Sequence, residues 1–344
     1  MDLTERKKAI LSAIIKSYIT SGEPIGSKAL CSMLGMNVSP ATLRNEMNSL
    51  CEMGYLEQPH TSAGRVPTDM GYKVYVSDLM EQKTVSNGMK QTIDTLLQRA
   101  SRDPENLLAL AGQILADITG LPAIVIKSIK QERYVRRVEF LPMGKRSIMI
   151  VLITSDGIAR SRLCHCSEPL SDDMLADFDK LTASKIIGTE LSRFDRVFLQ
   201  TLAAELGVYA LPLSSLLTTV FEMVMDINSS SVSIRGESNL LSCCETEEQA
   251  KGLLEAMSRK TQIISMLDSV DPSEKVVFGG ETGIKELQPS NMVVSQFSLG
   301  EGDAVKIGVI GPKRIDYERI IPDIEYFAEK LSKLVTETLI EMED

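Results

Sequence analysis

Residues 39–53 read SPATLRNEMNSLCEM, a run that predicts a short helix with one apolar and one polar face. Serine followed by proline is a strong start signal, because the serine hydroxyl caps N–H groups and proline suits the first helical position. Leu43, Met47 and Leu50 recur at helical spacing and should pack inward. The opposite side comprises Ala41, Arg44, Asn45 and Asn48.

Two further helices precede this segment. Thr4 is a candidate N-cap for the first helix, and residues 21–24 stop it. The second helix covers Ser27–Leu34, and Gly35 supplies its left-handed stop. Its expected inward residues are Ala29, Leu30, Met33 and Leu34. Two short helices joined by a tight turn, the second with a polar outer face, form a helix-turn-helix.

A hairpin follows the third helix. Residues 55–57 and 65–67 look extended, and the loop between them, 58–64, contains proline and glycine. A helix-turn-helix with such a hairpin is a winged helix, a fold that binds DNA. A generic three-helix bundle with a hairpin fits the same pattern, because short motifs also match by chance. We favour the DNA-binding interpretation.

The distribution of charge supports this interpretation, although the total charge opposes it. The 344 residues carry a net charge of -10, whereas phosphate binding favours a basic surface. Residues 1–75, however, hold eight basic and seven acidic residues, so the remainder carries -11. A near-neutral head can bind DNA if its cations share one face, while an acidic body is repelled from the duplex.

Other classes of protein find little support. No nucleotide-binding glycine motif is present, and the two histidines, His60 and His165, offer no catalytic set. The run 164–166 has the wrong spacing for common zinc sites. We therefore expect neither an enzyme nor a bound metal or cofactor. Six scattered cysteines and the lack of a long apolar run indicate reduced thiols in a cytoplasmic protein without a membrane span.

The remaining chain alternates between helical and extended patterns. Residues 76–105 look like a helical connector. Strand signals appear over 122–166, give way to mostly helical patterns for about a hundred residues, and return over 276–310 before a final amphipathic helix. This arrangement predicts one α/β domain that is interrupted by an insertion.

Three segments resemble signatures of the HrcA family of bacterial heat-inducible transcription repressors. The first is SPATLRNEM at 39–47. The second is GYLEQPHTSAGRVPT at 54–68, followed by Gly71-Tyr72. The third is GVIGP at 308–312, with Asp316-Tyr317 just after. The resemblance in length and layout extends over residues 3–340.

The resemblance implies a fold and a function. It implies a dimeric repressor of the chaperonin and DnaK operons that binds an inverted repeat called CIRCE. It also implies that heat releases the repressor and that the GroE chaperonin keeps it active. We therefore expect an α+β multidomain chain. Its expected parts are a winged helix-turn-helix at 1–75, a helical connector at 76–105, a GAF-like α/β domain at 106–168 and 270–344, and an inserted dimerisation domain at 169–269.

The polar face of the third helix supplies the candidate DNA contacts. Arg44 can bind guanine through its forked guanidinium, and Asn45 or Asn48 can pair with adenine. Asn45 can instead brace the turn. No acidic residue lies three or four positions from Arg44, so we expect it to be unpaired. The expected contacts to phosphate or the minor groove are Lys28, Ser39, Thr42, His60, Thr61 and Arg65.

Three further expectations concern the dimer surface, His60 and an alternative function. We expect the dimer surface around Leu175, Phe178 and Leu181, although the same apolar residues also suit the core of a monomer. His60 can likewise serve only to stabilise the wing. An alternative function is a ligand-gated regulator that senses a metabolite through the GAF-like domain.

Overall fold

The structure, a computed structural model, describes residues 3–35, 38–60, 63–81, 83–100, 104–128, 132–228, 230–299 and 303–343, without the side chains of 104–105 and 338–343. These residues form two compact units. The first comprises Met1–Ser128, Ser231–Gly300 and Ala304–Met342. The second comprises Ile129–Ser230 with the short segments Glu301–Asp303 and Glu343–Asp344.

The helices and strands follow in chain order. The helices are α1 Glu5–Ser21, α2 Ser27–Leu34, α3 Pro40–Glu52, α4 Asp69–Val74, α5 Asn87–Gln98, α6 Pro104–Thr119, α7 Asp172–Leu181, α8 Arg196–Glu205, α9 Ser214–Asn228, α10 Leu240–Cys243, α11 Glu247–Ser258, α12 Lys260–Asp268 and α13 Tyr317–Glu343. The strands are β1 Leu56–Glu57, β2 Val66–Pro67, β3 Ala123–Ser128, β4 Val135–Gly144, β5 Ser147–Thr154, β6 Ala159–His165, β7 Ser231–Arg235, β8 Val276–Phe278, β9 Ser290–Ser298 and β10 Ala304–Pro312. A π-helical turn, Tyr75–Leu79, continues α4.

The N-terminal part of the first unit is the winged helix that the sequence predicts. Helix α3 buries the expected apolar row, α1 buries Ile10, Leu11, Ile14 and Ile15, and β1 pairs with β2 in an antiparallel hairpin. The expectation for α2 is wrong at two positions. Leu30 is buried and Leu34 is half-buried, but Ala29 is exposed and Met33 is 54% exposed. A helix of two turns buries one row of side chains, and here that row runs from Leu30 to Leu34.

Two glycines of the predicted hairpin are required by geometry. Gly54 ends α3 with φ +81°, in the left-handed region that favours glycine. Gly64 lies against the α1–α2 connection, where an added Cβ would be 2.3 Å from the carbonyl carbon of Ile25. No side chain fits there, so the wing strand can approach this connection closely.

The rest of the first unit is an antiparallel sheet with helices on both faces. Its strand order is β7-β3-β10-β9-β8, so a strand from the early set, β3, pairs with a late one, β10. Alternate residues of β3 point to opposite faces. Val125 packs in the same cluster as α6, α13 and the winged helix, whereas Ile124 packs with α11 and α12.

The second unit is a three-stranded antiparallel sheet with helices on one face. Strands β4, β5 and β6 pair in that order, and the alternate residues Ile148, Ile150 and Leu152 are buried. They pack in one core with residues of α7 and α9, among them Phe178 and Val220.

The predicted domain limits differ from this division in two places. Residues 135–165 belong to the second unit, because among the described strands β4–β6 pair only with one another. Residues 231–268 belong to the first unit, because β7 pairs with β3 and both α11 and α12 pack on the same sheet. The winged helix is also part of this first unit, since its core is continuous with that of the sheet.

The predicted dimer residues need a correction. Phe178 and Leu181 are buried in the core of the second unit and are not available to a partner, whereas Leu175 packs against that core and is half-buried. Within the described ranges, no helix is long and apolar enough to cross a membrane. Cys164 and Cys166 are buried free thiols, and burial beside Cys164 raises the pKa of Cys166 to about 11.

Candidate nucleic-acid interface

The start of α3 is capped by the hydroxyl groups that the sequence predicts as phosphate contacts. The Ser39 hydroxyl accepts a hydrogen bond from the Thr42 N–H at 3.1 Å. The two side-chain oxygens also lie 2.9 Å apart. Pro40 has no N–H to satisfy. Ser39 and Thr42 therefore hold the helix terminus in place, and Ser39 remains exposed at the surface.

Arg44 and Asn45 lie on the exposed face of α3. Neither side chain has a hydrogen-bond or ion-pair partner among the residues that the structure describes. Glu46, which is close to Arg44 in sequence, is instead near Arg6 and Lys7, with N–O distances of 3.7 Å to each. The guanidinium of Arg44 is thus available to an external acceptor.

The other cations of the winged helix are mostly paired. Lys8 binds Glu5 at 2.9 Å, Lys16 binds Glu318 at 3.0 Å, and Lys73 binds Glu281 at 3.0 Å. Over the described part of residues 3–75, Lys28 and Arg44 are the cations without an ion pair or a side-chain hydrogen bond. They lie on α2 and α3, so the charge available to phosphates is concentrated on the helix-turn-helix.

Two side-chain hydrogen bonds stabilise the wing. The Gln58 side-chain amide donates to the carbonyl of Ala63 at 3.1 Å, across the wing loop. Arg65 Nη2 donates to Asn48 Oδ1 at 2.6 Å, which joins the wing to α3. His60 is exposed at the wing loop. Thr61 lies outside the described residues.

A buried carboxylate attaches the winged helix to the rest of the first unit. Glu318 of α13 accepts a hydrogen bond from the Tyr75 hydroxyl at 2.7 Å, and its oxygens lie 3.0 Å from Lys16 Nζ and 2.5 Å from Lys83 Nζ. Burial alone would raise the pKa of Glu318, but these donors outweigh it and lower the pKa to about 2.

Two further contacts accompany this cluster. The rings of Tyr72 and Tyr317 lie 5.7 Å apart, and Lys313 pairs with Asp69 at 2.6 Å. Glu318 is a site residue that the sequence does not reveal, because its partners lie more than two hundred residues away in the chain. The only local signal was its position directly after Asp316-Tyr317.

These features define a class: a winged helix-turn-helix protein of the DNA-binding regulator type. Residues 2–80 match the family model described as the winged helix-turn-helix transcription repressor, HrcA DNA-binding domain. Residues 105–321 match the HrcA protein C-terminal domain. The chain belongs to the HrcA family of heat-inducible transcription repressors, a family of DNA-binding regulators rather than enzymes.

The similarity to curated relatives extends over nearly the whole chain. The heat-inducible transcription repressor HrcA of Geobacter sulfurreducens is 30% identical over 97% of this chain and 98% of its own length. The protein of the same description from Thermobifida fusca is 32% identical over 92% of each chain. A crystal structure of a hypothetical protein superimposes on 98% of this chain and all of its own, with a TM-score of 0.63 and 23% identity, which shows a shared fold.

Proposed function

We propose that this protein represses the chaperonin and DnaK operons by binding the inverted-repeat CIRCE operator as a dimer in the cytoplasm. In this proposal heat stress releases it, and the GroE chaperonin maintains its activity. The observation that supports DNA binding most directly concerns two cations on the helices of the helix-turn-helix, Lys28 and Arg44, which have no ion-pair partner in the part of the chain that the structure describes.

The proposed contacts follow from which side chains are available. Arg44 donates to the O6 and N7 atoms of a guanine, and Asn45 pairs with an adenine in the major groove. Lys28 and the start of α3, with Ser39 and Thr42, contact phosphates. His60 and Thr61 extend the contact along the wing. The acidic body is repelled by the duplex, so binding is confined to the head.

An inverted repeat calls for two heads related by a twofold axis. The two half-sites should be spaced by whole helical turns of about 34–36 Å. In the proposed architecture the GAF-like part is the five-stranded sheet with its helices, and the second unit provides the dimer surface. The support for that surface is an uncovered apolar row on the outer face of its sheet. In this row, Leu141, Met149 and Leu163 lie side by side across three strands, and Leu141 and Leu163 are 46% and 45% exposed.

Titration of the full-length protein onto an inverted-repeat duplex and onto an unrelated duplex of equal length tests this function. We expect two chains per inverted repeat and much tighter binding than to the unrelated duplex. Equal affinity for both duplexes would contradict the proposal. Addition of the chaperonin during heating tests whether it preserves operator binding.

The dimer surface has its own test. Met149→Lys places a charge in the apolar row and should give monomers in sedimentation equilibrium, with weaker operator binding because two linked heads are lost. Met225→Lys is the matched control, since Met225 is an exposed methionine of α9 outside the row. If the control dissociates and Met149→Lys does not, the dimer uses another surface.

The ligand-gated alternative also has an observation in its favour. An open cavity of about 380 Å³ in the first unit is lined by Lys83, Phe278 and Glu318, among others. A ligand there would contact the cluster that attaches the winged helix. A metabolite panel tests this alternative, because any compound that binds the folded state must raise the melting temperature. The alternative requires the same compound to change operator affinity.

A further inference from the structure

A hydrogen bond between side chains joins the wing to the recognition helix. Arg65 Nη2, from the residue just before β2, donates to Asn48 Oδ1 of α3 at 2.6 Å. Hydrogen bonds with a charged donor are shorter and stronger than neutral ones. The bond spans 17 positions in sequence and connects the two parts of the head that would contact DNA.

Two backbone hydrogen bonds hold the main chain of Arg65 in place. Its N–H donates to the carbonyl of Ile25 at 2.8 Å, and its carbonyl accepts from the Ile25 N–H at 3.1 Å. The neighbouring Gly64 packs directly on Ile25. Arg65 therefore reaches α3 from a fixed origin on the wing.

The guanidinium lies along α3 and not out toward solvent. Arg65 is half-buried, and its Nε is buried without a hydrogen-bond partner. One helical turn beyond Asn48, the half-buried thiol of Cys51 is close to the same guanidinium. Burial raises the pKa of Cys51, and Arg65 opposes that rise. This setting contrasts with that of Arg44, which is exposed and has no partner within the described ranges.

We propose that Asn48 and Arg65 are positioning residues that fix the wing relative to the recognition helix, and that neither contacts DNA. A phosphate contact would need guanidinium donors, but Arg65 directs Nη2 to Asn48 and Nη1 to the carbonyl of Gly64 at 3.5 Å, and its Nε is buried. Bidentate recognition of adenine uses both amide atoms of an asparagine, and the Asn48 oxygen is engaged by Arg65. The pair thus acts on affinity through the placement of Arg44 and Asn45. This inference rests on the proposed function.

A double-mutant cycle in the full-length protein tests the pair. Asn48→Ala, Arg65→Ala and the double variant are titrated onto the inverted-repeat duplex and onto an unrelated duplex at several salt concentrations. Each single variant should weaken operator binding about tenfold. The double variant should be no weaker than the worse single variant, because both remove the same bond. Binding to the unrelated duplex should be unchanged.

The salt dependence separates positioning from a phosphate contact. If Arg65 only positions the wing, Arg65→Ala leaves the slope of log affinity against log salt as it is. If it contacts a phosphate, the slope falls by about 1. Arg65→Lys keeps the charge, but its side chain is shorter and does not place a donor where Nη2 meets Asn48. It should therefore behave like Arg65→Ala under our proposal and like the parent protein under the alternative.

Three results would overturn the inference: additive losses in the cycle, a reduced slope in Arg65→Ala, or rescue by Arg65→Lys. Melting temperatures of all variants exclude loss of folding, and Asn48→Ala changes an exposed side chain in any case. Arg44→Ala is the reference for the function itself. If it weakens operator binding while the cycle shows no coupling, only the positioning role fails. If it has no effect, the proposed DNA-binding surface fails.

Discussion

The exposed side of the helix-turn-helix and the junction around Glu318 differ in whether their cations are paired. On the outer faces of α2 and α3, Lys28 and Arg44 have no partner among the described residues. At the junction, Lys16 and Lys83 converge with Tyr75 on one buried carboxylate. Unpaired surface cations are available to an anionic ligand, whereas charges around a desolvated partner hold two parts of a fold together.

This comparison explains why the net charge of -10 is a poor guide to function. A few cations bind a polyanion only if the protein does not neutralise them. The pairing of Lys8, Lys16 and Lys73 with glutamates removes them from that role. The location of the remaining cations, more than their number, indicates the DNA-binding surface.

Glu318→Ala should produce the largest effect. It leaves Tyr75 and two lysines without their shared acceptor. Glu318 is buried while both lysines are partly exposed to solvent, so we expect a loss of up to about 3 kcal/mol of stability. Urea unfolding of the full-length protein measures the change. Glu329→Ala is the control, because it removes an exposed glutamate of the same helix. Equal stability of the two variants would mean that the junction does not depend on this carboxylate.

Arg44→Ala should cost about 1–3 kcal/mol of operator binding per head without changing stability, since its exposed side chain has no hydrogen bond or ion pair among the described residues. A gel-shift titration measures the loss. Arg193→Ala removes the same charge from an exposed position in the second unit and should bind normally. Unchanged operator binding by Arg44→Ala would mean that the exposed cation on α3 does not contact DNA.

Glu318→Gln should give a smaller, pH-dependent effect. The folded-state pKa of Glu318 is about 2, below the ordinary value of 4.5. The charged form therefore stabilises the fold above about pH 4.5, and this contribution is lost as the pH falls toward 2. The variant lacks this contribution, so its unfolding free energy should be lower than that of the parent protein at pH 6. The two values should converge as the pH falls toward 2. Parallel curves would show that the carboxylate is not held in its charged form.

Lys28→Ala should produce the smallest effect. A lysine that contacts one phosphate contributes to all sequences alike, so the variant should bind every duplex more weakly and lower the salt slope by about 1. Lys180→Ala, at an exposed position in α7, serves as the control. A slope that does not change would remove Lys28 from the phosphate contacts.

The helix-turn-helix and the wing are predictable because their signals are local. Ser39 and Pro40 mark the start of α3, the apolar row at 43, 47 and 50 sets its buried face, and Gly54 ends it. The absence of acidic residues at three or four positions from Arg44 likewise predicts that it is unpaired. Each of these properties depends on residues within a few positions of one another.

The domain limits and the roles of Asn48 and Phe178 depend on distant residues. Strand β5 of the smaller sheet and strand β3 of the larger one are both short, mostly apolar runs, so their sequences do not reveal which sheet each joins. Phe178 has the apolar character that suits either a core or an interface, and only its packing distinguishes the two. Asn48 is engaged by a wing residue 17 positions away.

The amino-acid sequence by itself determined the local elements of the head and the polar face that it presents, because capping, periodicity and turn geometry act over a few residues. Only the tertiary structure decided which charges stay available, through long-range partners such as Glu318 for Lys16 and Asn48 for Arg65. Side-chain pairing needs contact in space, and residues that are far apart along the chain come into contact only when it folds.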